Sequence, residues 1–488
     1  MLKKISFLVW GLALAGCAST VATNGGFNEA NTEISEVNFG GKDNFRVGVL
    51  LPLSGSAAKQ GQGLKNATML ALEDARNPKL ILQYYDTKGT PSGARVAAEN
   101  ALNQQSQLIL GPLMSSSVEA ISEQAGDRNV PIIAYNTNSR VLKDGVYTLG
   151  LLIEEQVDRI MTFAAEHGRA NFALLIPDNQ TGVAVAKAAV KSAQKNNVKI
   201  TRIGFYRPNT TDFSDVLKQM TDYPTRVQRL NSFRAKLSAQ AAGGDANAAK
   251  VLARLKTQET LGEVDFDAVL IPESGASLKA AVAMFGYYDV FSPKVKFLGT
   301  SIWDGTNLSK ETTMRGSWYP SLSRTHSSYF AGKYADLFGE RPSSLYALGY
   351  DSVALASALA KQNNADLKTA LTDPDGYIGI NGAFRLFDTG RNQHSLDIVE
   401  VRENGNVIVD EAPRKFTQQE SLFDNEQIIT DSSYQAPRIF GKSASTAQTL
   451  IYGHPLGLEN QPLDYIPSAQ EREIIKEGLQ KLNIVVPD

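Results

Sequence analysis

The chain predicts an α/β fold built from two doubly wound lobes, and three observations carry that expectation. From Asn44 onward, short β-branched or aliphatic runs alternate with longer amphipathic stretches, the pattern of parallel strands joined by crossover helices. The runs fall into two successive series, one for each lobe. The 488 residues also leave room for about three domain-sized units. Lysine and arginine number 49 against 51 aspartate and glutamate, and 42% of the residues are hydrophobic. That balance argues against a nucleic-acid partner, and the composition against a polytopic membrane protein.

The first element is an address. Lys3 and Lys4 precede an apolar stretch from Ile5 to Ala15, far short of the roughly 20 residues needed to cross a bilayer, so residues 1–16 read as a signal peptide. It ends in Leu14-Ala15-Gly16-Cys17, which looks like a bacterial lipobox: small residues let the processing peptidase close on the backbone before a thiol that takes the lipid. Cys17 is the single cysteine of the chain, which excludes a disulfide framework and any cysteine zinc site and makes it the expected lipidation position. Apart from that lipid no cofactor is expected. Ala18 stands where an aspartate would, by resemblance to the enterobacterial sorting rule, hold the protein at the inner membrane; the inner leaflet of the outer membrane is therefore expected. Residues 17–43, rich in Asn, Gly, Ser, Thr and Glu, read as a flexible tether reaching at most about 80 Å.

The first strand series is Phe45 to Leu51, Lys79 to Tyr85, Leu108 to Gly111 and Val130 to Ala134. The second is Phe172 to Ile176, Val198 to Phe205, Asp267 to Ile271 and Val295 to Gly299. Helical spacing of apolar residues marks Ala57 to Arg76, Ser115 to Asp127, Glu154 to His167 and Gly182 to Lys195. Residues 225–262 read instead as an inserted helical hairpin, with Val227, Leu230, Phe233 and Leu237 on one helix, a break at Gly243-Gly244, and Ala248, Val251, Leu252 and Leu255 on the next. Its polar positions carry cations, among them Arg229, Arg234 and Arg254, which form a candidate partner surface or a solvated helix face. Residues 411–488 turn polar and rich in Gln, Ser and Pro, and read as a largely disordered tail.

Catalytic signatures are absent. Gly61-Gln62-Gly63 lacks the third glycine of a dinucleotide fingerprint, and no phosphate-binding Gly-x-x-x-x-Gly-Lys occurs. His167, His326, His394 and His454 are scattered, so no metal site is expected. Ser56-Ala57-Ala58-Lys59 and Ser192-Ala193-Gln194-Lys195 both match Ser-x-x-Lys, but no Lys-Thr-Gly accompanies them, and no Gly-x-Ser-x-Gly elbow occurs. The chain does not read as an enzyme.

Polar loops follow the strands instead. Leu53-Ser54-Gly55 follows the first, Ser115-Ser116-Ser117 the third, where hydroxyls would meet backbone N–H groups at a helix start, and Thr137-Asn138 the fourth. The order of these motifs resembles the type I periplasmic binding proteins, particularly the group that binds leucine, isoleucine and valine. The resemblance covers about Asn44 to Val409, including Leu345 to Ser352 as a late helix returning to the first lobe. It implies two Rossmann-like lobes joined by a three-strand hinge crossed near Gly150, Pro320 and Asp373. Lobe 1 is then 44–150 with 320–373, and lobe 2 is 151–319 with 374–410. It also implies a ligand cleft lined by Ser54, Ser115, Ser116, Ser117, Thr137, Asn138 and Asp304. Ile271 to Gly275 stands where that family places an aromatic wall.

Asp267 to Gly275, Tyr287-Tyr288-Asp289-Val290, Leu298-Gly299-Thr300 with Trp303-Asp304, and Arg315 to Tyr319 are similar to the lipoprotein activators of penicillin-binding proteins. That resemblance implies a periplasmic lipoprotein regulating peptidoglycan synthesis by docking on a class A, bifunctional penicillin-binding protein. The chain lacks the long N-terminal helical-repeat domain of the enterobacterial members. The competing expectation is a substrate-binding lipoprotein of an ABC importer, taking amino acids, muropeptides or related solutes.

Overall fold

The computed structural model describes residues 44–456 except 305, 324–326, 363–365, 417–420, 425–427 and 429–433. The expected signal peptide, the tether, Cys17 and residues 457–488 lie outside the described residues.

Lobe 1 opens with β1 (Phe45–Leu51), α1 (Ala58–Ala75), β2 (Leu80–Asp86), α2 (Pro91–Asn103), β3 (Leu108–Leu110), α3 (Ser115–Gly126), β4 (Ile132–Ala134) and β5 (Val146–Thr148). Its strands form a parallel sheet in the order β2-β1-β3-β4-β5. These strands are apolar on both faces because helices cover both. On one face Val47, Val49 and Leu51 pack with Leu64 and Ala67 of α1; on the other, Ile109 and Ile132 pack with Ala98 of α2 and Ile121 of α3.

Lobe 2 follows with α4 (Ile153–Glu166), β6 (Asn171–Pro177), α5 (Gln180–Lys195), β7 (Lys199–Tyr206), α6 (Ser214–Met220), α7 (Tyr223–Ala242), α8 (Ala246–Arg254), β8 (Ala268–Leu270), α9 (Gly275–Tyr287), β9 (Lys296–Leu298) and β10 (Trp318–Leu322). The chain then builds α10 (Ser327–Phe338), α11 (Ser344–Lys361), α12 (Leu367–Leu371), β11 (Tyr377–Gly379), β12 (Gly382–Leu386) and β13 (Asn392–His394). It returns through β14 (Leu396–Arg402) and β15 (Gly405–Asp410), and adds β16 (Arg438–Phe440) and α13 (Ala444–Tyr452). The lobe 2 sheet runs β15-β14-β10-β9-β8-β6-β7-β16, parallel except where β14 pairs with β10 and β15 with β14. Helices α4 and α5 cover one face, α6 and α9 the other.

The second crossing falls after Leu322, since Pro320 is buried within β10. The third lies between β13 and β14 instead of near Asp373. Residues 374–394 therefore go with lobe 1, and the reason is on α11. Asp351, fully buried there, accepts the N–H groups of Ile380 (2.6 Å) and Asn381, while Ile380, Phe384 and Leu386 enter the core around β1. Burial pushes the Asp351 carboxyl up to about 7. The hinge strands are laced together by Asn392, whose Nδ2 donates to the Thr148 and Gly150 carbonyls at 2.8 Å, and by His394 Nε2, 3.0 Å from the Leu149 carbonyl. Burial pushes the His394 ring down to about 4, so it is neutral at pH 7.

The hairpin forms as α7 and α8 around a small core of its own, Leu230, Leu237, Ala248 and Leu255. The expectation of a largely disordered tail is corrected for the described residues between 411 and 456. Phe423, Ile439, Ala447 and Ile451 are buried against α4, α5 and the sheet, because β16 hydrogen-bonds to the β7 edge and α13 covers the face beside it.

Candidate functional site

Ligands of doubly wound sheets gather at the carboxyl ends of the strands, and those loops carry most of the expected residues. Of these, Ser54 and Asn138 are committed to neighbouring groups of the chain. Ser54 Oγ donates to Asp86 Oδ2 at 2.6 Å, while the N–H groups of Leu53, Ser54 and Lys88 donate to Oδ1. Burial raises the Asp86 carboxyl, but those bonds together hold it below the usual carboxylate range. Ser54 thus closes a turn. In α3, Ser115 is half-buried, Ser116 exposed, and Ser117 fully buried with its Oγ unpartnered. Thr137 is exposed, whereas Asn138 Oδ1 caps a short turn by accepting the Arg140 N–H at 3.1 Å.

In lobe 2, Asp304 is half-buried directly after the buried Trp303, whose indole Nε1 donates to the Glu273 carbonyl at 2.8 Å. The Gly299 position has no room for a side chain: a Cβ there would stand 2.2 Å from the Trp303 ring. Nearby, Glu273 Oε2 accepts the Tyr206 hydroxyl at 2.8 Å; burial and that carboxylate push the phenol up.

Three groups outside the expected set join the lobes. Ser139 Oγ donates to Glu154 Oε1 at 2.5 Å, Arg391 Nη1 lies 3.4 Å from the same oxygen, and the Arg140 guanidinium donates to the Gln180 amide oxygen. Glu154 is at the start of α4 and Gln180 at the start of α5. Beside them Glu155 is buried and pushed up to about 8, first by burial and then by the Asp158 charge, with Ser421 Oγ 3.3 Å from its Oε1. A further group, Asn136 at the end of β4, is 5% exposed with neither side-chain polar atom partnered. Its neighbour Thr137 was legible as a loop residue; nothing in the sequence separated the two. At the hinge, a Cβ at Gly150 would stand 1.7 Å from the Asn136 carbonyl oxygen.

The frame is now complete: two doubly wound lobes, three hinge strands and facing loops. Residues 44–406 match the periplasmic binding protein family. The chain belongs to that family. The family is one of periplasmic binding proteins, and no helix among the described residues is long and apolar enough to cross a membrane. Among the described residues no group of three or more His, Cys, Asp or Glu could hold a metal. A structure described as a branched-chain amino acid ABC transporter from Rhodospirillum rubrum is similar at TM-score 0.59 and 16% identity, over 75% of this chain and 100% of that one. The LpoA (YraM) C-domain from Haemophilus influenzae, a regulator of PBP1A, is similar at TM-score 0.52 and 17% identity, over 75% and 99%. At those identities the likeness is one of fold. The uncharacterized protein RP748 of Rickettsia prowazekii is 21% identical over 176 residues, 36% of this chain and 47% of that protein. The match thus spans about half the length of that curated relative.

The hairpin cations occupy distinct environments. Arg234 Nη2 donates to the Leu255 and Gln258 carbonyls at 2.6 Å each, closing the turn after α8. Arg229 is half-buried beside Gly262, and Arg254 is exposed with Lys236, Lys250 and Lys256. Arg226, 4% exposed, is a hub: Nε donates to the Gly262 carbonyl, Nη1 to Tyr288 and Nη2 to Thr260 Oγ1, at 2.9–3.0 Å.

Proposed function

We propose that this protein regulates peptidoglycan synthesis from the periplasm, lipid-anchored through Cys17 at the outer membrane, by docking on a class A penicillin-binding protein and raising its activity. The observation that carries this reading is how the interlobe polar groups are spent. Ser139 and Arg391 converge on Glu154 and Arg140 is bonded to Gln180, so charged and polar groups that could grip a solute instead grip the opposite lobe. The Glu273 carboxylate bonded by Tyr206, the exposed hairpin cations and the shared fold of the Haemophilus regulator support it as well. No part of the reading requires this chain to catalyse a reaction.

The test uses the lipid-free chain from Ala18 onward with a class A penicillin-binding protein of the same organism. Binding together with faster polymerisation or cross-linking is the expected result; absence of both overturns the reading. A solute receptor for an ABC importer is the second reading, and it has one observation in its favour. Asn136 and Ser117, buried and unpartnered at neighbouring strand ends, are polar groups that a bound solute could satisfy. A thermal-shift screen with amino acids and muropeptides tests it: a ligand whose shift disappears in Asn136→Ala moves the assignment to that reading.

A further inference from the structure

At the pole of lobe 2 away from the interlobe loops, the carboxyl end of α9 and the amino end of β9 border two cavities of about 600 and 500 Å³. Phe291 lines both, so they are neighbouring parts of one surface groove. Tyr287 is 64% exposed and Phe291 46%, an unusual concession for aromatic rings in a soluble domain. The walls are fixed beforehand. Arg226 ties the strip after the hairpin, at Thr260 and Gly262, to the opposite wall at Tyr288 and Asp289, and Thr260 Oγ1 donates to Asp289 Oδ2 at 2.5 Å.

The two chambers differ in charge. In the first, Lys294 pairs with Glu263 and Arg226 with Asp289, while Glu259 has no ion-pair partner among the described residues. The second is lined by Lys296, Arg315 and the hydroxyls of Ser292, Thr312 and Thr313, with no carboxylate in its wall. Lys296 is 7% exposed, donates to the Gly316 carbonyl at 2.6 Å and lies over the Trp318 ring. Arg315 gives Nη2 to the exposed Glu403 at 2.9 Å, but its Nε is buried and unpartnered. Glu400, the other carboxylate beside Lys296, is already bonded by Arg402 and Trp318.

We propose that this groove grips an extended segment of a protein partner that lays an apolar side chain on Tyr287 and Phe291, a basic side chain beside Glu259 and an acidic one between Lys296 and Arg315. Exposed aromatic rings flanked by charged groups that a partner's side chains can meet are the anatomy of an interface centre. The proposal rests on the regulator reading above and names the surface it uses, which the interlobe loops do not share.

The experiment is calorimetric titration of the lipid-free chain with the class A penicillin-binding protein of the same organism, joined to hydrogen-exchange mapping of the complex. Tyr287→Ser with Phe291→Ser, both exposed positions, should weaken binding by about 30-fold or more while the melting transition is kept. Arg315→Glu should weaken it and flatten its salt dependence, Thr137→Ala should leave it unchanged, and residues 286–296 should gain exchange protection. Wild-type affinity in both folded variants, or protection confined to other surfaces, overturns the groove and leaves the regulator reading standing. No binding by the wild type overturns both.

Discussion

Glu155 illustrates how a residue is placed where its ordinary chemistry is suppressed. Its raised pKa means the folded chain holds a proton that the unfolded chain releases, so folding stability falls as pH rises from the ordinary glutamate range through about 8. Glu155→Gln should therefore match the wild type near pH 4.5 and gain on it by at most about 1.4 kcal/mol per pH unit up to pH 8, then level off. Urea melts at half-unit pH intervals check this, and parallel curves for the two proteins would contradict it. His394 acts in the opposite sense: its pKa is depressed, so its contribution is lost as pH falls from the normal histidine range toward 4. The sequence made Ser54, Ser115–Ser117, Thr137 and Asn138 legible as loop residues at strand ends. It could not say which way each side chain turns, because that depends on Asp86, the α3 backbone and Arg140 arriving from elsewhere in the chain or along the turn.

Elements were legible in proportion to their length and periodicity. The long runs of β1, β2, β6 and β7 and the helices α1, α3, α4 and α5 stand out in sequence, and the structure has them within a residue or two of the expected bounds. Three-residue strands such as β5, β13 and β16 show no alternation to detect, and they exist because a neighbouring edge offers them hydrogen bonds. Residues 421–424 make the same point. Ser421 meets Glu155, Asp424 accepts the Thr389 hydroxyl at 2.7 Å, and Phe423 is 4% exposed within the α4–α5 core. Phe423→Ala should cost roughly 3 kcal/mol of stability, read as a lowered denaturation midpoint. A loss under about 0.5 kcal/mol, the size of an ordinary surface substitution, would mean that the segment contributes nothing to the fold.

At the scale of the molecule, the lobes are held by a hinge laced with buried polar groups and by contacts across the facing loops. Ser139→Ala combined with Arg140→Ala removes two of the three interlobe contacts and leaves Arg391, Asn392 and His394 in place. Hydrogen exchange at 149–152 and at the starts of α4 and α5 should then quicken by about 5- to 30-fold, the worth of one or two hydrogen bonds, while the global midpoint moves little. Unchanged exchange would show that the hinge strands and the Arg391–Glu154 contact suffice to set the lobe arrangement.

The pairing of β16 with β7 also governs the order in which the protein can be made. The β7 edge belongs to the middle of the chain, yet the strand that covers it comes near the end, so lobe 2 waits with an open sheet edge until almost the whole polypeptide has emerged. That delay leaves the nascent β7 edge as a place where an escort protein would be needed, or where a second nascent copy would pair by mistake.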